Sequence, residues 1–266
     1  MKSRLFFYAV VVSITAFLIS YLCYQFSGDF LNSKNTTRSW AVFKDKSNYQ
    51  TINENFSFKE INSVEIQSIN ANVYVKHAEN SQGKIEFTRG SAEQNAIQFS
   101  KQNHQVIIKV PSDSDSSVTI SLPNDVEIIK IENRSGDIKM DQMKLKKLSV
   151  RAISGDVKLN EVDANEADIM AVSGDVKWNG SVKQLELESV SGDVSVESVF
   201  HSPNFNMKTI SGDINVKISK PLNATLDISS TSGKVSTSQT VVLPNKNSVG
   251  SIKIRSLSGN IQVNGN

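Results

Sequence analysis

Five aspartates stand in one recurring phrase: Ser135-Gly136-Asp137, Ser154-Gly155-Asp156, Ser173-Gly174-Asp175, Ser191-Gly192-Asp193 and Ser211-Gly212-Asp213. A carboxylate repeated at a near-fixed interval is the plainest chemical feature of the chain. If the phrases stack as strands in a sheet do, neighbouring carboxylates lie about 4.8 Å apart. Two like charges at that distance repel by roughly 1 kcal/mol even in water. Two arrangements can offset the repulsion. Each carboxylate can accept backbone amides within its own turn, with Lys139, Lys158 and Lys177 following two residues later on the same outward face. Alternatively, calcium ions can sit along the column. Calcium, however, asks for carboxylates converging from facing turns and for more oxygen ligands than one aspartate per repeat supplies.

Little else has the spacing of catalysis. His77, His104 and His201 lie far apart, and none has a partner at metal-ligand or triad distance. There is no His-Glu-x-x-His, no Gly-x-Ser-x-Gly and no phosphate-binding glycine loop. The sequence therefore points to no catalytic residue, no cofactor and a non-enzymatic protein. Carboxylates converging across a groove, as in carbohydrate-active enzymes built on β-helices, remain the rival, although these repeats are short for walling a cleft. Asn35, Asn55, Asn133, Asn179 and Asn223 fit the glycosylation pattern, as chance matches will in a chain so rich in Asn and Ser.

The elements that must position the aspartates follow from the flanks. With Ser232-Gly233-Lys234 and Ser258-Gly259-Asn260 added, the turn glycines Gly136, Gly155, Gly174, Gly192, Gly212, Gly233 and Gly259 are separated by 19, 19, 18, 20, 21 and 26 residues. Seven positions before them stand Ile129, Leu148, Ala167, Leu185, Phe205, Leu226 and Ile252. Five before stand Ile131, Val150, Ile169, Leu187, Met207, Ile228 and Ile254. Two after stand Ile138, Val157, Val176, Val194, Ile214, Val235 and Ile261, all β-branched. Apolar, β-branched residues at a spacing of two are strand chemistry. The glycine belongs where the backbone needs positive φ. Each repeat thus reads strand, turn, strand, and one such unit buries its apolar face only by stacking on others. The expected fold is all-β, a right-handed single-stranded parallel β-helix of about seven to eight coils over residues 126–266; a meander of hairpins is the rival. Arg134 stands where later coils have Ile153, Val172, Val190 and Ile210, which suggests that the first coil is open or capped there. Thr231, Thr237 and Thr240 make the sixth coil wetter than its neighbours, and Pro221 and Pro244 suggest loosening towards the end.

Upstream, residues 55–125 keep the strand pattern without the phrase. Val64 and Ile66 before Ala71, and Val73 and Val75 after it, repeat the later offsets, so Asn70-Ala71-Asn72 reads as a degenerate first turn. Lys84 to Arg89, Gln105 to Val110 and Val118 to Leu122 read as strands of an N-terminal β cap covering the open end. Residues 25–54 are a polar linker. Residues 5–24 are uncharged and almost wholly apolar, long enough at about 1.5 Å per residue to cross a bilayer of about 30 Å. No clean small-residue cleavage site follows them, so they read as an uncleaved signal anchor. Residues 1–4 carry Lys2 and Arg4, which hold that end in the cytoplasm and place the remainder outside. Of 29 basic and 27 acidic residues, removal of those two leaves 27 of each sign outside, and a domain of zero formal charge has no bulk attraction for nucleic acid. Lys144, Lys146 and Lys147 form the plainest local patch and read as a connection between coils. Cys23 is the only cysteine and lies in the anchor, so no disulfide staples the exterior.

Phe56-Ser57-Phe58, Val64-Glu65-Ile66, Val73-Tyr74-Val75, Val118-Thr119-Ile120-Ser121-Leu122-Pro123 and the serial Ser-Gly-Asp-[Ile/Val] phrases together resemble the bacterial putative-adhesin family of β-strand-repeat domains of unknown function. The resemblance spans about residues 55–263. It implies a β-helix with no catalytic motif, held at the bacterial plasma membrane by one helix, with its C-terminal domain extracytoplasmic. Lys234 and Asn260 depart from the phrase. The expected partners are a wall polymer, a membrane or surface protein, or another copy through coil edges or faces. A regulator of an envelope-stress response is the alternative role, since some relatives take part in such responses.

Overall fold

The computed structural model describes residues 38–39, 50–56, 58, 60–78, 83–89, 97–110, 116–198, 204–218, 224–238 and 250–265. The anchor at 5–24, most of the linker, His201, Pro221, Thr240 and Pro244 lie outside the described residues. Among those described, no helix is long and apolar enough to cross a membrane.

Two eleven-stranded sheets face each other. Each repeat gives one strand to each. The long sheet takes the strand before the turn: Ser63–Ser68, Gln105–Val110, Ile128–Ser135, Lys144–Ser154, Asp163–Ser173, Val182–Ser191, Asn204–Ser211, Ala224–Ser232 and Gly250–Ser258. The short sheet takes the strand after it, for example Ile138–Asp141, Val157–Asn160, Val176–Gly180 and Val194–Ser198. Adjacent repeats pair in parallel and in register, so that Ile131, Val150, Ile169, Leu187, Met207 and Ile254 form one column. This is a β-solenoid, as the offsets predict, and not a meander of hairpins. The inward columns are its core. Ile129, Ile131, Val150, Ile169, Leu187, Leu159, Trp178 and Val196 are at most 1% exposed. Burial of each Val, Leu or Ile stabilises the fold by about 1.5–3 kcal/mol.

Several strands of the long sheet enter through a bulge. The carbonyl of Glu127 accepts both Lys146 and Lys147 amides, at 2.7 and 3.1 Å. The carbonyl of Asn62 accepts those of Glu127 and Ile128 in the same way. Two residues opposite one leave Lys146 and Lys147 both facing solvent between buried Leu145 and Leu148. The lysine patch is thus the bulged start of a strand, not a connection between coils. The corner leaving the short sheet is made by Gln142 and Glu161 at φ 56° and 51°, and by Gly180 in the next repeat.

The coils do not stack in chain order. At the C-terminal end, Asn204–Ser211 pairs with Gly250–Ser258, and Ala224–Ser232 pairs beyond it. The last repeat therefore lies between the fifth and the sixth. Thr237, on an inward column, is exposed because the sixth coil is the outermost one. The N-terminal end shows the same reversal. Ser63–Ser68 is paired between Gln105–Val110 and Ile128–Ser135. The strands Gln105–Val110 and Ser117–Leu122, expected in the cap, are therefore a further parallel coil. The cap proper is antiparallel: Gln98–Gln102 on Gln105–Val110, Gly83–Arg89 on Ser117–Leu122, and Gln50–Phe56 on Gly83–Arg89.

Candidate binding face and the turn ladder

The aspartates do not accept the backbone amides of their own turns. Each reaches the next coil. Asp137 Oδ1 accepts the amide of Asp156 at 2.9 Å, Asp156 Oδ1 that of Asp175 at 3.0 Å, and Asp175 Oδ1 that of Asp193 at 3.0 Å. Asp193 continues to Asp213, Asp213 to Asn260, and Asn260 to Lys234. Asn72 opens the ladder by accepting the amide of Asp137. The acceptor lies one coil away because parallel registered stacking places each aspartate beside the next aspartate's N–H rather than its own. The repulsion down the column is thereby offset by amide donors and by Lys158, which lies 3.0 Å from Asp156. Among the described residues, no three His, Cys, Asp or Glu side chains converge as a metal site would.

The glycines stack for a related reason. A Cβ on Gly174 would lie 2.2 Å from the carbonyl oxygen of Gly155, and one on Gly155 would lie 2.3 Å from that of Gly136. The turn thus needs positive φ and also a close backbone approach between coils.

The backbone amide of Asp175, and then Lys158, hold the Asp156 carboxyl below the usual carboxylate range. A depressed folded pKa contributes stability that is present above the unfolded value of about 3.9. It is lost as pH falls through the folded pKa. In thermal unfolding from pH 6 downwards, wild type should lose midpoint temperature below about pH 4, and Asp156→Asn should lose less. The variant keeps an acceptor oxygen but not the charge that Lys158 pairs with, so it should start somewhat below wild type at pH 7 and converge with it in acid. Equal slopes in acid would contradict the ladder.

Residues alternating with the core columns form the outer face of the long sheet. Here Ile153, Val172, Val190 and Ile210 are half-buried, and Arg134 is exposed. This position faces outward, and the expectation of an open or capped first coil to accommodate Arg134 falls away. Strand parity is the reason: the residues three before each glycine, Asn133, Ala152, Ala171, Ser189, Thr209 and Ser256, are the buried ones. Asn133 donates its amide to the carbonyls of Ala71 and Gly136, so it is no glycosylation acceptor in the folded chain. Stacked coil on coil, Ile153, Val172, Val190, Ile210 and Leu257 form an apolar ridge. Four spacings of about 4.8 Å make it about 19 Å long.

Ion pairs between coils flank the ridge. Lys130 lies 3.0 Å from Glu65 and 2.7 Å from Glu132; Arg151 lies 3.4 Å from Asp168; Lys208 lies 2.8 Å from Glu188; Arg255 lies 2.7 Å from Asp227. The more exposed of these, such as Arg255 with Asp227, are worth about 0–1 kcal/mol each. They fix the face's charge pattern more than its stability. Further along the same face a groove of about 510 Å³ is walled by Lys147, Glu166, Asp168, Gln184 and Glu186, with buried Phe205 among its lining residues. Its carboxylates each have a cation nearby: Glu166 has Lys147, Asp168 has Arg151 and Glu186 has Lys208. Of the histidines, His104 is exposed with Nδ1 2.7 Å from the Glu60 carbonyl, and His77 ends a strand elsewhere.

The class defined by this geometry is a β-strand-repeat solenoid with antiparallel strands at one end and ion pairs along one face. The chain belongs to the Toastrack DUF4097 family, whose profile matches residues 51–264. No curated protein matches the sequence. Among solved structures, the chain is similar to one described as a putative adhesin from Bacteroides fragilis. The identity is 15% and the TM-score 0.52, over 82% of this chain and 97% of that one. It is also similar to a putative adhesin from Parabacteroides merdae, at 11% identity and TM-score 0.42, over 82% and 97%. A putative cell adhesion protein from Clostridium sporogenes matches at 12% and 0.40, over 82% and 100%. At 15% identity the likeness to the first of these is one of fold.

Proposed function

We propose that this chain is a non-enzymatic, adhesin-like module of the bacterial cell surface, anchored in the plasma membrane by residues 5–24 with its C-terminal part outside. Its right-handed β-helix presents the outer face of the long sheet to a surface protein or wall polymer. The observation that carries the reading is the apolar ridge. Ile153, Val172, Val190, Ile210 and Leu257 occupy a solvent-facing position on five adjacent coils, where the first and outermost coils have Arg134 and Thr231. Contiguous apolar surface rimmed by charge is what a binding face looks like. The names of the structural neighbours agree with this reading.

The test is capture from detergent-solubilised cells with the full chain and its Val172→Lys/Val190→Lys variant. Wild type should retain partners that the variant loses at least tenfold. The variant's unfolding free energy should stay within about 1 kcal/mol, because neither side chain lies in the core. Equal capture by both proteins would move the site off this face.

A further inference from the structure

The two ends of the solenoid are finished differently. At the N-terminal end, antiparallel strands pair with both sheets of the outermost coil. At the C-terminal end, Ala224–Ser232 and Val235–Thr237 are paired on one side only among the described residues. The core columns run out at this edge. Leu226 and Ile228 are only half-buried, whereas their column neighbours Ile252 and Ile254 are 0% exposed, and Val235 is 41% exposed. The edge strand, ATLDISSTS, also lacks the usual protections, having neither lysine nor proline.

We infer that a second copy of this chain closes the edge, tail to tail, through antiparallel pairing of Ala224–Ser232 with itself about a twofold axis at Ile228. Three observations select this occupant. First, the turn ladder stops here: Lys234 takes the last bond from Asn260 and offers no side-chain acceptor to a further coil. Continued parallel stacking, and hence an open fibre, lacks the bond that joins every other turn. Second, the edge strands at the opposite end, Arg38–Ser39 and Gln50–Phe56, are antiparallel cap strands without the turn phrase, so a head-to-tail contact would not carry the turn ladder on. Third, the strand is self-complementary in this register. Ile228 meets Ile228, Leu226 meets Ser230, Asp227 meets Ser229 and Thr225 meets Thr231. Inward residues face inward residues, as sheet parity requires, and no like charges oppose. Asp227 already has Arg255 at 2.7 Å. A twofold, self-matching contact closes on itself as a dimer.

The register makes the inference testable. Opposed Ile228 residues have Cα atoms about 4.5–5.5 Å apart, which is within disulfide reach. The full chain in detergent, with Cys23→Ser and Ile228→Cys, should form a covalent dimer under mild oxidation. The same chain with Asn215→Cys, exposed on the short sheet away from the edge, should not. By analytical ultracentrifugation, wild type should be dimeric at concentrations where Ile228→Lys is monomeric, both with the same circular dichroism. A monomeric wild type, a dimer indifferent to Ile228→Lys, or equal cross-linking at both cysteines would overturn the inference. None of these outcomes bears on the ridge, which lies on the outer face rather than at the end.

Discussion

Gly174→Ala costs the solenoid about 3 kcal/mol or more. A non-glycine residue held in a sparsely populated backbone region costs about 1–3 kcal/mol by itself, and Gly174 stands at φ +119°. The new methyl would also lie 2.2 Å from the carbonyl oxygen of Gly155 and 2.6 Å from its carbon. Those are backbone atoms held in a stacked turn and cannot swing aside as a side-chain tip can. The coils must part locally, which lengthens the Asp156 to Asp175 bond beside them. Urea unfolding at pH 7 reads the loss. Ser173→Ala, one residue earlier and exposed, should stay within about 0.5 kcal/mol. Similar values for the two variants would show that the turn does not stack as described.

Trp178→Ala is expected to cost about 3–5 kcal/mol. Trp178 is 1% exposed and is the largest fully buried side chain, paired across the short sheet with Leu159 and Val196. Its neighbours sit on registered strands and cannot collapse into the space it leaves. Trp178→Phe separates packing from polarity. It keeps most of the volume and removes a buried indole N–H that has no hydrogen-bond partner among the described residues. Its cost should therefore be under about 1.5 kcal/mol. In a solenoid, stability is a sum over coils and their interfaces, so both large losses fall mid-stack, where each coil has two neighbours.

The sequence shows the solenoid's register but not its order. Every coil repeats the same offsets, so Ile254 fits beside Met207 as well as Ile228 does, and periodicity cannot say which is adjacent. Only the polar character of the sixth coil, at Thr231 and Thr237, marked it as an end, and it read as wetness without a place. The strand pattern of 105–122 was legible, but without a turn phrase it looked like a cap rather than a coil. The aspartate column was visible, yet its acceptor role was assigned to its own turn. A single chain position cannot reveal a partner that arrives about twenty residues later through stacking. The apolar ridge is hidden by strand parity. Ile153, Val172, Val190 and Ile210 look like core residues until the alternation is carried through to the glycine, when Ala152, Ala171, Ser189 and Thr209 prove to be the inward ones. Arg134 was the clue, since it needs no capped coil if its position faces water.

The most direct test of the account is site-specific photo-cross-linking on the full chain in living cells, with a photoreactive residue at Val190 on the ridge or at Asn215 on the short sheet. The account predicts discrete covalent adducts from position 190 and few from 215. Adducts from 215 alone would contradict it and place the binding face on the opposite sheet.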